Sequence, residues 1–208
     1  MLNRVFSAMR SDSLEADLAR LEQEAEEATP DYVALLYSRA GDLCVQEGDR
    51  KRALSYYGSA IDAFLDVGYY DSAAALCRRV IELSPRVVRA RGTLAFLALG
   101  EGLQYLPFRG RLEENARNAI AEYVEAARKA GVEDLAVKRL AIMAESTDNP
   151  EIREMIGSYL LELGDAKAAD RVLGEVYAER NQVGKPREGD QRKRWAGAMR
   201  TSVLSITG

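Results

Sequence analysis

Gly48-Asp49-Arg50-Lys51-Arg52-Ala53-Leu54-Ser55-Tyr56-Tyr57-Gly58-Ser59-Ala60 is followed, seven residues later, by Gly68-Tyr69-Tyr70-Asp71-Ser72-Ala73-Ala74-Ala75-Leu76-Cys77-Arg78-Arg79-Val80. The two stretches repeat one pattern. Each opens on glycine, places alanine at +5, and places apolar or small residues at +9 and +12: Tyr57 and Ala60 in the first, Cys77 and Val80 in the second. Pro85 follows at +17 from the second glycine. Glycine ends a helix because it adopts a left-handed backbone without a Cβ clash. The alanine then lets the next helix lie close to its predecessor. The pattern therefore predicts helix, glycine turn, helix.

Downstream, Gly131 is followed by Ala136, Leu140 and Met143, and Gly164 by Ala169, Leu173 and Val176, at the same three offsets. The last two glycines are 33 residues apart. A period in that range marks a repeat array, in which each unit buries its apolar face by stacking on the next. Upstream of the first template stands Tyr37-x2-Ala40-Gly41-x2-Cys44, and upstream of the last Arg153-x2-Ile156-Gly157-x2-Leu160. In both, this glycine precedes the template alanine by twelve residues.

On these residues the chain resembles the tetratricopeptide repeat family, whose pattern is Trp-x2-Leu-Gly-x2-Tyr, then Ala-x3-Phe, then Pro. Residues 34–67 and 150–182 fit best, and 54–85 and 117–148 fit in part. Tyr37 and Arg153 stand at the Trp position, and the closing proline is present only as Pro85. Gly48 to Gly68 is a step of 20, so one helix there serves two registers. The best two units are 116 residues apart against 102 for three repeats, leaving a surplus of 14 between them. The resemblance implies an all-α, right-handed α-solenoid of antiparallel helix pairs, with about eight core helices plus terminal helices. It also implies a groove that receives a partner segment, lined by Leu35, Ser38, Asp42 and Val45 in the first unit and by Glu151, Glu154, Ser158 and Leu161 in the last. Some members of the family grip a C-terminal carboxylate with Lys and Asn. Here Ser38, Asp42, Glu154 and Ser158 stand instead, a lining suited to a basic or apolar peptide.

Composition points the same way. Five prolines in 208 residues, with 47% hydrophobic residues, argue for an all-α chain. Histidine is absent, which removes the commonest general base and zinc ligand. Cys44 and Cys77 fall on apolar stripes and are expected as buried free thiols rather than metal or redox groups. No apolar run approaches the ~18 residues of a membrane span. Arg4 interrupts any secretory core in Met1–Arg10, so the cytoplasm is the expected location. The net charge of −4 divides into +2 over residues 1–10, −10 over 11–182 and +4 over 183–208. An acidic body disfavours nucleic acid as its ligand.

In chain order, Leu2, Val5, Phe6 and Met9 describe a short amphipathic helix that packs on the body or touches a membrane surface. A capping pattern, Asp12 with Glu15, predicts a second helix along Leu14, Leu18, Leu21 and Ala25, stopped by Thr29-Pro30. Residues 1–30 thus precede a repeat domain over 31–182, with helices at about 31–47, 50–66, 70–83, 86–99, 112–130, 133–146, 149–163 and 165–181. Leu94 to Leu99 is apolar nearly all round, so its helix should be the most buried in the array. Between these helices, residues 100–110 are expected as a loop holding most of the surplus, with Tyr105, Phe108 and Arg109 either folded back or offered to a partner. Residues 183–190 read as linker. Beyond them Trp195, Met199 and Val203 form an apolar stripe flanked by Arg192, Lys193, Arg194 and Arg200, so that 191–205 either docks as a helix on this chain, a second subunit or a partner, or stays a solvated tail.

No catalytic constellation emerges. Glu22, Glu24, Glu26 and Glu27 read as a solvated face, Glu113-Glu114 and Glu133-Asp134 sit at helix starts, and the glycines fall singly rather than in a phosphate loop. No cofactor or metal is expected. The sequence therefore predicts a non-catalytic adaptor that binds a protein or peptide. The alternatives are a nucleic-acid-associated protein using its basic tail, and an enzyme of unrecognised type.

Overall fold

A computed structural model describes residues 2–100 and 112–181, with side chains from 13 to 100 and from 114 to 178. The described residues are all-α. Helix α1 is Leu2–Glu27, α2 Pro30–Gln46, α3 Arg50–Asp66, α4 Tyr70–Leu83, α5 Val88–Leu99, α6 Leu112–Ala130, α7 Glu133–Ser146, α8 Pro150–Glu162 and α9 Ala166–Asn181. The chain divides into two compact units, residues 1–85 and 86–208. In the first, α2 packs on α1 and α3, and α3 on α4. In the second, α5 packs on α6 and α7, α6 on α7 and α8, and α9 on α8 and α7.

The glycine template has a direct backbone meaning. Gly48, Gly68, Gly131 and Gly164 are the described residues with positive φ, between 68° and 91°. After each, the next residue donates its N–H to a carbonyl five positions back: Asp49 to Cys44, Tyr69 to Phe64, Val132 to Ala127 and Asp165 to Leu160. That is the Schellman closure of a helix end. The same residue then starts the following helix, and its carbonyl accepts the N–H of the template alanine: Ala53, Ala73, Ala136 or Ala169. All four alanines have no exposed surface. Of the eight positions at +9 and +12 all are buried except Leu173, which is half-buried. Asp49, Asn149 and Asp165 cap their helices with side-chain oxygens, and Thr29-Pro30 and Asn149-Pro150 supply the proline that a helix accepts in its first turn.

Two expectations meet a different structure. The N-terminal segment is one continuous helix, α1, without a break at Asp12. No glycine or proline occurs before Pro30, so nothing forces a break, and an Asp-x2-Glu pattern is equally at home inside a helix. Helix α5 begins at Val88 rather than 86, its N-terminal boundary residue Val87 being extended two residues after Pro85. Within its apolar run Ala95, Phe96 and Leu97 are fully enclosed, whereas Leu94, Ala98 and Leu99 are half-buried.

A second glycine contact fixes how close neighbouring helices come. A Cβ on Gly41 would stand 2.5 Å from the Tyr57 ring, and one on Gly157 2.7 Å from Leu173. Both pairs are 16 residues apart. Gly92 makes the same approach to Tyr123, at 2.8 Å, but across 31 residues. Most of the additional length, nine residues, falls between α5 and α6, where residues 100–111 stand in place of the three-residue connections 47–49 and 163–165; the rest lies within α5 and α6.

Candidate functional site

The positions assigned to partner contact lie on α2 in the first unit and on α8 in the second. Leu35 and Leu161 are each 55% exposed, unusually open for leucines on helices otherwise rich in buried residues. Ser38 and Val45 are half-buried. Ser158 is exposed and donates its hydroxyl to the Glu154 carbonyl at 3.0 Å, within its own helix. Tyr105, Phe108, Arg109, Arg192, Lys193, Arg194, Trp195 and Met199 lie outside the described residues.

Two carboxylates of these helices, Asp42 and Glu151, form ion pairs within the fold. Asp42 accepts the Tyr57 hydroxyl at 2.5 Å and the Arg79 guanidinium at 2.8 Å. Arg79 in turn lies over the Tyr57 ring, 5.3 Å from its centroid. This cluster ties α2, α3 and α4 together. Burial, and then the Asp42 carboxylate, push the Tyr57 hydroxyl well above the ordinary tyrosine range. Glu151 pairs with Arg117 of α6 at 2.8 Å. Glu154 is half-buried and has an interaction of its own. Tyr37, at the Trp position, stacks on Tyr56 with centroids 6.5 Å apart. Arg153, at the same position in the last unit, is 7% exposed and bridges to Glu175 of α9.

Sequence reading named none of the partners Arg79, Arg117, Arg128 or Glu162. Two of these pairs share one spacing. Arg117 meets Glu151 and Arg128 meets Glu162, each across 34 residues. The two pairs sit eleven residues apart on both helices, so α6 and α8 run side by side in the same direction. In the first unit Tyr56 donates to Glu22, again across 34 residues, and Arg52 to Glu15, joining α3 to α1. Among the described residues no group of His, Cys, Asp and Glu is placed to hold a metal ion, and no helix is long and apolar enough to cross a membrane. Comparison with protein-family models finds no match to this chain, and comparison with curated proteins finds no matching relative.

Proposed function

We propose that the chain is a non-catalytic interaction scaffold, an α-solenoid of the tetratricopeptide type that receives a protein or peptide segment on the faces of α2 and α8. The observation that carries this reading is the recurrent 34-residue contact between next-but-one helices: Glu22 with Tyr56, Arg117 with Glu151, Arg128 with Glu162. Helices that lie parallel at that offset, with a connecting helix joined by tight turns between them, are the geometry of stacked helix pairs. The glycine approaches at Gly41, Gly92 and Gly157 support the same packing. Leu35 on α2 and Leu161 on α8, which stand at different positions of their units, are both exposed and available to a partner.

Affinity capture of the full chain, read by mass spectrometry, tests the reading. Proteins recovered with the wild type should be lost from Leu35→Glu or Leu161→Glu, whose substitutions are open to solvent and should leave the thermal melt in place. Equal recovery with wild type and both variants would defeat it.

A further inference from the structure

We infer that the N-terminal end of α1 makes a contact with an anionic lipid surface, separate from the faces of α2 and α8. The sequence leaves the stripe Leu2, Val5, Phe6 and Met9 two uses, packing on the body or touching a membrane. The continuity of α1 decides between them. Because Leu2–Glu27 is one helix, the stripe stands in fixed rotation to Leu14, Leu18, Leu21 and Ala25, which are buried against the body. At about 100° per residue the centres of the two stripes fall about 140° apart round the helix. The face that continues the first stripe along α1 holds Ala16, Arg20, Gln23 and Glu27, and all four are exposed. Helices α2 and α3 are 17 residues long against 26 for α1. Only Ala28 and Thr29 separate α1 from α2, and the first turn of α3 meets Glu15 through Arg52. The excess of α1, about 13 Å at 1.5 Å per residue, therefore lies at its N-terminal end. There the stripe stands beyond the packed part of the unit and on the side away from it.

Charge selects what covers it. Residues 1–10 carry Arg4 and Arg10 and no acid, with Arg10 at the edge of the stripe one turn from Phe6, whereas residues 11–182 carry −10. An anionic lipid surface attracts this end and repels the rest, and its headgroups and acyl chains suit an arginine beside an apolar stripe. A second copy would set the same two arginines against each other, over ten residues a side where a stable interface uses about 20–30. Gln23 and Glu27, on the same face farther along, confine the contact to the N-terminal end.

Co-sedimentation of the full chain with vesicles tests this, comparing phosphatidylcholine alone with a mixture holding about one-third phosphatidylserine. The chain should bind the mixed vesicles, be released by salt, and bind phosphatidylcholine at least about fivefold less. Arg10→Gln should weaken binding about fivefold and Phe6→Glu about tenfold or more. Both should melt at the wild-type temperature, because no contact with the body is lost. An environment-sensitive fluorophore should shift to the blue on vesicles when attached at Met9→Cys and not at Ala8→Cys, a position off the stripe; the native thiols Cys44 and Cys77 are buried. A melt lowered by Phe6→Glu would place the stripe on the body, and equal shifts at the two attachment sites would remove the oriented helix; either overturns the inference. Binding that survives Phe6→Glu and is lost from Arg192→Glu with Arg194→Glu would assign the lipid contact to the C-terminal segment instead, and overturn it. So would a wild-type chain that sediments with neither vesicle, whether it stays single or pairs with a second copy.

Discussion

Gly41 and Gly174 answer the same substitution in opposite ways. A Cβ at Gly41 would meet the Tyr57 ring at 2.5 Å, whereas one at Gly174, exposed in α9, would meet nothing within 4 Å. Gly41→Ala should therefore destabilise by about 1–3 kcal/mol through overpacking, and Gly174→Ala should stabilise by about 0.5–1 kcal/mol by removing a flexible residue from a helix. Urea midpoints should move in opposite directions. Movement in the same direction would contradict the packing. Tyr56 and Tyr57 carry the pH dependence. Burial raises both hydroxyls, assisted by Glu22 and Asp42 respectively, so the folded state favours their neutral forms. The sign follows from linkage: this stability is complete below the unfolded tyrosine pKa of about 10 and is lost as pH rises above it. Tyrosinate absorbance should lag in the native protein and rise together with unfolding; early titration of both residues would contradict the Asp42 and Glu22 bonds. Gly41 was legible as part of a motif, but Arg79 over Tyr57 was not. Whether Asp42 faces a ligand or an arginine depends on where α4 lands, which no local spacing encodes.

At the level of elements, the turns were the most legible feature, because a helix end that needs positive φ selects glycine wherever it occurs. Gly48, Gly131 and Gly164 have open space where a Cβ would go. Alanine there should still cost about 1–2 kcal/mol, purely from the left-handed backbone. Thermal melts of the three variants should drop together, and an unchanged melt at any of them would reject the turn assigned to it. Ala53→Leu and Ala169→Leu act at the opposite end of the same template, where both side chains are fully enclosed, and should cost about 1–3 kcal/mol by overpacking. The break expected at Asp12 shows what local signals leave open. A capping pattern marks where a helix can begin, and only a residue that breaks the preceding helix makes it begin there. The surplus was legible as a length, and most of it falls in residues 100–111 between α5 and α6, a connection nine residues longer than those at 47–49 and 163–165.

Across the whole molecule the repeat offset becomes a physical distance. Arg117, Arg128, Glu151 and Glu162 are ordinary surface charges in the sequence, and each exposed pair contributes at most about 1 kcal/mol. Their importance is positional, since together they fix α6 and α8 parallel and in register. The all-α class was legible from composition and glycine spacing. Which charges meet was not, because ion pairs follow from helix placement rather than specify it. The buried thiols Cys44 and Cys77, with no exposed surface, should resist labelling in the native protein and react on unfolding. That protection permits the most direct test of stacked repeats. Cysteines introduced as Arg117→Cys with Glu151→Cys, or Arg128→Cys with Glu162→Cys, should be joined within one chain by a short bifunctional maleimide, and urea should abolish the reaction. Arg117→Cys with Glu162→Cys should not crosslink, because eleven residues of helix separate those points by about 16 Å. Crosslinking of both matched pairs and not of the offset pair is the predicted result. Equal crosslinking of all three, or of none, would contradict the repeat packing.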